Sequence, residues 1–121
     1  MSWQFNSTEA VFLQIADRLR RDIVNGLYTP DQQFPSVRQL AEITAVNPNT
    51  VQKALTHLEE EGLLHTNGTI GRFVTEDVSV IQQAKENLIR RTVRAWIDQA
   101  RALNITEHEM IKYIQEEVSE S

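Results

Sequence analysis

The 121-residue chain has room for one ordinary domain, or for a small domain followed by a segment too short to build its own core. Hydrophobic residues make up 40% of it and charged residues 24%, which is typical of a folded globular protein. The absence of cysteine excludes disulfides, thiolate metal sites and thiol nucleophiles. The net charge of −5 does not by itself favour binding to phosphates.

Several other classes of protein are disfavoured. No apolar run approaches the ~20 residues of a membrane-spanning helix, and the first residues lack the pattern of a signal peptide, so we expect a cytoplasmic protein with no membrane partner. His57, His65 and His108 are far apart and lack metal-ligand spacing, so no metal site is predicted. Neither a nucleophile with its base nor a phosphate loop is visible, so we expect no catalytic residues and no cofactor.

The first predicted elements are a short strand and a helix. Trp3-Gln4-Phe5 alternates apolar and polar residues, as a strand with one buried face does. From Val11 to Ile23 the apolar residues recur at helical spacing, and Gly26 suits the left-handed cap that ends a helix. The sequence therefore predicts a strand followed by an amphipathic helix.

Two short helices follow, separated by about three residues. Ser36 and Gln39 have capping-box spacing, so the second helix begins at Ser36. Its predicted inner face comprises Val37, Leu40, Ala41 and Ile43. Asn47 is a favourable N-cap and Pro48 a favourable first residue for a third helix that ends at Gly62. Such a pair is the minimum of a helix-turn-helix, whose second helix enters the major groove of DNA.

A hairpin and two more helices complete the predicted order. Asn67-Gly68-Thr69, in which Asn-Gly is a strong hairpin signal, separates two short runs over residues 63–66 and 70–74, which predicts a two-stranded wing. A long helix is predicted from about Val80 to Leu103, and the capping-box spacing of Thr106 and Glu109 opens a last one. The predicted fold is mainly α with a small β wing. It comprises a winged helix-turn-helix domain over residues 1–77 and a two-helix segment over residues 78–121.

Candidate DNA contacts lie on the third helix, at the start of the second and in the wing. The predicted outward face of the third helix comprises Asn49, Thr50, Gln52, Lys53, Thr56 and His57. Of these, Asn49, Thr50 and Gln52 are candidates for base edges, and Lys53 for phosphate. Ser36 and Arg38 add a helix N-terminus and a charge for the DNA backbone. The candidates for a minor-groove approach are Asn67, Gly68, Thr69 and Arg72.

These features also have ordinary structural interpretations. Any amphipathic helix has a polar outer face, and Ser36 and Asn47 are caps whatever else they do. The ordered combination of helix pair, caps and hairpin is what favours DNA binding. The alternative function is a protein-binding or DNA-mimicking winged-helix module, whose acidic surface docks on a basic partner.

Several motifs occur in fixed order between residues 3 and 75. They are Val11-Phe12-Leu13-Gln14-Ile15-Ala16, Phe34-Pro35-Ser36-Val37-Arg38-Gln39-Leu40-Ala41, Asn49-Thr50-Val51-Gln52-Lys53-Ala54-Leu55, Leu58-Glu59-Glu60-Glu61-Gly62-Leu63-Leu64 and Gly71-Arg72-Phe73-Val74. This region resembles the GntR family of transcription regulators. The resemblance implies that Arg38 contacts the DNA backbone. It also implies that the bases are contacted by Asn47, Asn49, Thr50 and Gln52, and that the wing glycines approach the minor groove.

The chain departs from that family pattern at four positions. Asp31 and Phe34 stand where glycine and leucine are usual, Ala45 replaces the usual turn glycine, and Pro48 replaces a frequent arginine. The segment after Asp77 has only 44 residues, which resembles the YtrA-type subfamily rather than members with a large effector domain. We therefore expect a sequence-specific repressor, and the resemblance implies regulation of its own operon and a neighbouring transporter.

The long helix carries an apolar stripe wider than one short partner helix covers. The stripe comprises Ile81, Ala84, Leu88, Ile89, Val93, Trp96, Ile97, Ala100 and Leu103. Packing within its own chain is one alternative. A homodimer is favoured because it also sets two recognition helices about one DNA turn apart on a palindromic operator. Candidate interface residues are Leu88, Trp96 and Ile111, and the short segment gives no basis for naming a small-molecule effector.

The charges are unevenly placed along the chain. Residues 1–77 hold six Lys/Arg against ten Asp/Glu, and residues 78–121 hold six against seven. The acidic run 59–61 lies at the far end of the third helix, whereas Arg38, Lys53 and Arg72 fall on the predicted DNA side. The local field, rather than the total charge, governs the approach to DNA.

Overall fold

The computed structural model describes residues 3–121, so the first two residues of the predicted N-terminal domain lie outside the description. Its elements are α1 (Val11–Val24), α2 (Val37–Thr44), α3 (Pro48–Glu60), β1 (Leu64–Asn67), β2 (Gly71–Val74), α4 (Val78–Arg101) and α5 (Glu107–Glu120). This mainly helical fold with a two-stranded antiparallel sheet confirms the predicted class and the order of elements from α1 onward. Among residues 3–121, no helix has the length and apolar character needed to cross a membrane.

The predicted N-terminal strand is wrong, because residues 3–5 form no ladder with another strand. The backbone of Asn6 instead bonds to a side chain: its N–H donates to Gln14 Oε1 (3.1 Å), and its carbonyl accepts from Gln14 Nε2 (3.0 Å). Trp3 and Phe5 pack against the core, and the Arg18 guanidinium lies 4.0 Å from the Trp3 ring centre. The apolar–polar alternation of residues 3–5 therefore places two aromatic rings against the core, although these residues pair with no strand.

The core lies where α1, α2, α3 and the hairpin meet. The four residues predicted for the inner stripe of α3 are all fully buried: Val51, Ala54, Leu55 and Leu58. In α2 the prediction was wrong at one position, because Ile43 is 48% exposed whereas Thr44 is 1% exposed. Thr44 follows Leu40 by one turn and so shares its face, and its hydroxyl donates to the Leu40 carbonyl at 2.8 Å. Ile43 is rotated away from that face.

Local capping fixes the turn between α2 and α3. Both bonds of the predicted capping box are present, from the Gln39 amide to Ser36 Oγ and from the Ser36 amide to Gln39 Oε1. Ala45 ends α2 in the left-handed region with φ of 59°. Asn47 Oδ1 then accepts from the Asn49 amide at 2.8 Å, and Pro48 opens α3. The turn is therefore defined at both helix ends.

A short stretch before α2 bonds to β2, which the sequence did not predict. The Phe34 amide donates to the Arg72 carbonyl at 2.8 Å, and the Val74 amide donates to the Gln32 carbonyl at 2.9 Å. Gln33 and Phe73 form an isolated antiparallel bridge. Residues 32–34 therefore connect the start of the helix-turn-helix to the wing. This stretch is too short to show a strand pattern in the sequence.

The chain divides into two compact units, with the first ending at Lys85 and the second beginning at Glu86, inside α4. In the first unit Val80, Ile81 and Ala84 pack against the core. In the second unit α5 begins with a capping box at Thr106, whose amide and hydroxyl bond Glu109 and hold the pKa of that carboxyl below its usual value.

The second unit exposes many large apolar side chains. Its exposed large hydrophobic residues are Ile89, Val93, Trp96, Leu103, Ile111, Tyr113, Ile114 and Val118. An apolar groove of about 230 Å³ is lined by Val93, Trp96, Ile97, Ala100, Ile105, Met110, Tyr113 and Ile114. Of the predicted interface residues, Trp96 and Ile111 are 60% and 50% exposed, whereas Leu88 is 6% exposed and so already covered within the chain.

Candidate nucleic-acid interface

The first two turns of α3 present a polar surface to solvent. Asn49, Gln52 and Lys53 are exposed as predicted, and Thr56 continues that face, whereas Thr50 is half-buried. The buried stripe on the opposite side holds the helix against α1 and α2. Amide, hydroxyl and ammonium groups are thus displayed from a rigid element, which suits contact with base edges in a major groove.

His57 lies at the margin of this outer face, since its side chain is 37% exposed and also contacts α1. Its half-buried ring meets the Phe12 ring of α1 edge-on at 6.2 Å between centroids, and its Nε2 lies 3.3 Å from Glu61 Oε2. Glu61 also accepts two hydrogen bonds from Arg20, whose pKa is raised chiefly by that carboxylate. His57 therefore joins α3 to α1.

Lys53 lies at the edge of the exposed face. Its Nζ is 4.3 Å from the centre of the Phe12 ring, a cation–π contact from an exposed side chain. Such a contact at an exposed site contributes only about 0.5–1 kcal/mol, so it does not prevent the ammonium from reaching a phosphate.

The start of α2 offers backbone amides and an exposed cation. The capping box occupies the amides of Ser36 and Gln39 and leaves those of Val37 and Arg38 for an outside acceptor. The Arg38 side chain is 90% exposed, and its Nε lies 3.9 Å from Glu42 Oε1. An ion pair this long and exposed is weak, so Arg38 can turn toward a phosphate.

The wing has a three-residue tip, as predicted, but the tip is shifted by one residue from the predicted Asn67-Gly68-Thr69. Asn67 pairs with Gly71 as the last pair of the ladder, which leaves Gly68, Thr69 and Ile70 as the loop. Asn67, Gly68 and Thr69 are exposed, as predicted for residues near a groove, and Gly68 has φ of 52°. Ile70 was assigned to the second strand from sequence and instead lies at the tip.

Arg72 is the predicted wing residue whose surroundings differ most from expectation. Its side chain is 17% exposed, and its guanidinium is ion-paired with the carboxylate of Glu59 near the end of α3. The Thr66 hydroxyl donates to the same carboxylate at 3.1 Å. Glu59 was placed away from the DNA side in the sequence analysis, and the sequence offers no signal that the hairpin folds back on it.

An open cleft of about 590 Å³ lies between the wing and the segment leading into α2. It is lined by Tyr28, Gln32, Gln33, Phe34, Pro35, Ser36, Val37, Gln39, Thr66, Ile70, Gly71 and Arg72. Burial, followed by the nearby charge of Asp22, raises the pKa of the Tyr28 phenol. The lining mixes neutral polar side chains with apolar ones, and among the described residues Arg72 is its one charged residue. Within residues 3–121, no cluster of His, Asp and Glu could hold a metal ion.

Residues 12–74 match the model of the bacterial regulatory proteins of the gntR family. The chain belongs to the GntR family. The HTH-type transcriptional regulator YhcF of Bacillus subtilis is 33% identical to it over 114 residues, covering 94% of both chains. The HTH-type transcriptional repressor YtrA of the same organism is 31% identical over 111 residues, covering 91% of this chain and 85% of YtrA.

Solved structures agree with this family. A GntR family transcriptional regulator from Listeria monocytogenes superposes with a TM-score of 0.85 at 28% identity, covering 93% of this chain and 98% of that one. The DNA-binding domain of AraR in complex with operator ORR3 superposes with a TM-score of 0.51 at 25% identity, covering 62% of this chain and 95% of that one. This GntR-family protein is therefore a DNA-binding transcription regulator with a winged-helix fold.

Proposed function

We propose that this GntR-family regulator is a repressor that binds a palindromic operator as a homodimer. The observation that carries the proposal is the exposed N-terminal face of α3, held by caps at its entry and flanked by a wing that is ion-paired to the same helix. Repression is supported by the similarity to YtrA, which is named a repressor. We further propose that the protein regulates the operon that encodes it and the genes of a neighbouring transporter.

In this proposal the residues fall into three groups. Asn47, Asn49, Thr50 and Gln52 contact base edges from the N-terminal end of α3. Ser36, Arg38 and Lys53 contact phosphates of the DNA backbone, and Asn67, Gly68 and Thr69 approach the minor groove from the wing. Arg72 supports the wing from behind the tip through its ion pair with Glu59.

The dimer is proposed to form through the second unit. The apolar groove and the exposed hydrophobic residues beside it leave a surface that a monomer would expose to water. The two helices also differ in charge: α4 holds five Lys/Arg against two Asp/Glu, and α5 holds one against five. Opposite charges favour packing of α4 from one copy against α5 from the other.

Selection of bound sequences from random duplex DNA tests the operator. We expect an inverted repeat with half-site centres about 10 base pairs apart, and one dimer per duplex by sedimentation. Expression of a reporter placed behind the DNA upstream of the protein's own gene should fall when the protein is produced. Recovery of no sequence, or equal affinity for random duplex at physiological salt, would overturn the proposal in favour of a protein partner.

A further inference from the structure

Ile70 is an exposed apolar side chain at the tip of the wing. It is 61% exposed, and the tip residues before it, Gly68 and Thr69, are also exposed. A large aliphatic group in this position contributes little to the core of the first unit. Its side chain is therefore available for contact with a partner outside the folded chain.

The backbone of Ile70 is held on both sides. Its amide donates to the Asn67 carbonyl at 3.1 Å, and its carbonyl accepts from Gln33 Nε2 at 3.0 Å. Gly71 permits this approach, because with φ of 133° a Cβ there would lie 3.2 Å from Gln33 Nε2. The tip is thus preorganised, and the isoleucine is presented from a fixed backbone.

The tip carries no cation to place in a groove. Residues 67–71 include no lysine or arginine, and Arg72 is ion-paired with Glu59 behind the tip. An arginine would be drawn to the negative potential of a narrow minor groove, but an aliphatic group gains only from packing against sugars and base edges. The tip therefore offers a groove no positive charge, only the Asn67 amide, the Thr69 hydroxyl and the apolar Ile70 side chain.

We propose that Ile70 packs into the minor groove beside each half-site and determines a preference for A·T pairs there. The inference rests on the proposed function. Guanine places its N2 amino group in the minor groove, whereas an A·T pair shows only acceptors at its base edges. Both kinds of pair place two acceptors in the groove, so guanine's amino group is the additional polar group that an aliphatic side chain would desolvate without an acceptor, which penalises G·C pairs.

The test uses the selected operator with three versions of the wing-facing pairs: A·T, G·C and inosine·C. Inosine·C has the major-groove edge of G·C but lacks the N2 amino group. By fluorescence anisotropy, the wild type should bind A·T and inosine·C alike and G·C roughly tenfold more weakly, a mismatch-sized effect. Ile70→Ala should reduce this discrimination to within about twofold while keeping a normal melting temperature, because the side chain is exposed.

Leu27→Ala is the matched control, since Leu27 is an aliphatic residue that is 65% exposed and belongs to neither the strands nor the loop of the wing. It should leave the affinities for all three duplexes unchanged. If Ile70→Ala keeps full discrimination, or if inosine·C binds as weakly as G·C, the inference is wrong while operator binding through α3 stands. Failure to select any operator would overturn both the inference and the proposed function.

Discussion

The Glu59 carboxylate near the end of α3 pairs with the Arg72 guanidinium of β2, so the recognition helix and the wing share a direct ion pair. Thr66 of β1 donates to the same carboxylate, which gives each wing strand one bond to α3. Both charged side chains are largely screened from solvent. Glu59, an acidic residue at the far end of α3, therefore bonds both strands of the wing.

Replacing Glu59 separates this structural role from its charge. Glu59→Gln removes a negative charge from α3, which favours DNA, but weakens the bond that positions the wing. We expect operator affinity to fall roughly tenfold, the equivalent of about 1.4 kcal/mol. Anisotropy titration at fixed salt measures the change.

Glu60→Gln is the matched control, because Glu60 is the exposed neighbour on the same helix and carries the same charge. It should leave affinity unchanged or raise it slightly. Equal gains from Glu59→Gln and Glu60→Gln would mean that Glu59 acts only through its charge.

Arg38 and Gln52 are expected to act differently on affinity and specificity. Arg38→Ala should weaken binding to all sequences alike and reduce the slope of log affinity against log salt by about one, because one phosphate contact is lost. Gln52→Ala should instead relax the preference at one base position, at a cost of about 1–3 kcal/mol for the preferred base. Titrations against the operator and its single-base variants distinguish them. Uniform loss from both changes would contradict the division of roles.

Ala45 adopts a backbone conformation that favours glycine. With φ of 59° at the C-cap of α2, its Cβ is strained, so Ala45→Gly should stabilise the fold by about 0.5–1 kcal/mol even after the entropy cost of glycine. Urea denaturation measures the gain. Ala41→Gly, inside the same helix, should destabilise by about 1 kcal/mol or more. A loss of stability at position 45 would show that the left-handed conformation is not strained.

Trp96 tests the proposed dimer surface. Its side chain is 60% exposed and lines the apolar groove, so Trp96→Ala should shift sedimentation toward monomer at micromolar concentration. Operator affinity should fall with it, because two half-sites are no longer bound together. Ile43→Ala, at an exposed apolar residue of α2, should leave the association unchanged. A Trp96→Ala dimer as stable as the wild type would place the interface elsewhere.

Much of the fold followed from local sequence signals. The boundaries of α2, α3 and α5 were set by capping residues such as Ser36, Asn47 and Thr106, whose hydrogen bonds span only two or three residues. The buried stripe of α3 followed from helical periodicity. The Trp3–Phe5 strand failed because alternation cannot reveal whether a partner strand exists.

The candidate site was determined in part by the sequence and in part by the tertiary structure. The sequence by itself determined that α3 begins at Pro48 with Asn49 and Gln52 on its outer side, because capping and periodicity are local. Only the tertiary structure decided that Glu59 holds Arg72 and that His57 faces Phe12. Those contacts join residues distant in the chain, and their formation depends on how the helices and the hairpin pack.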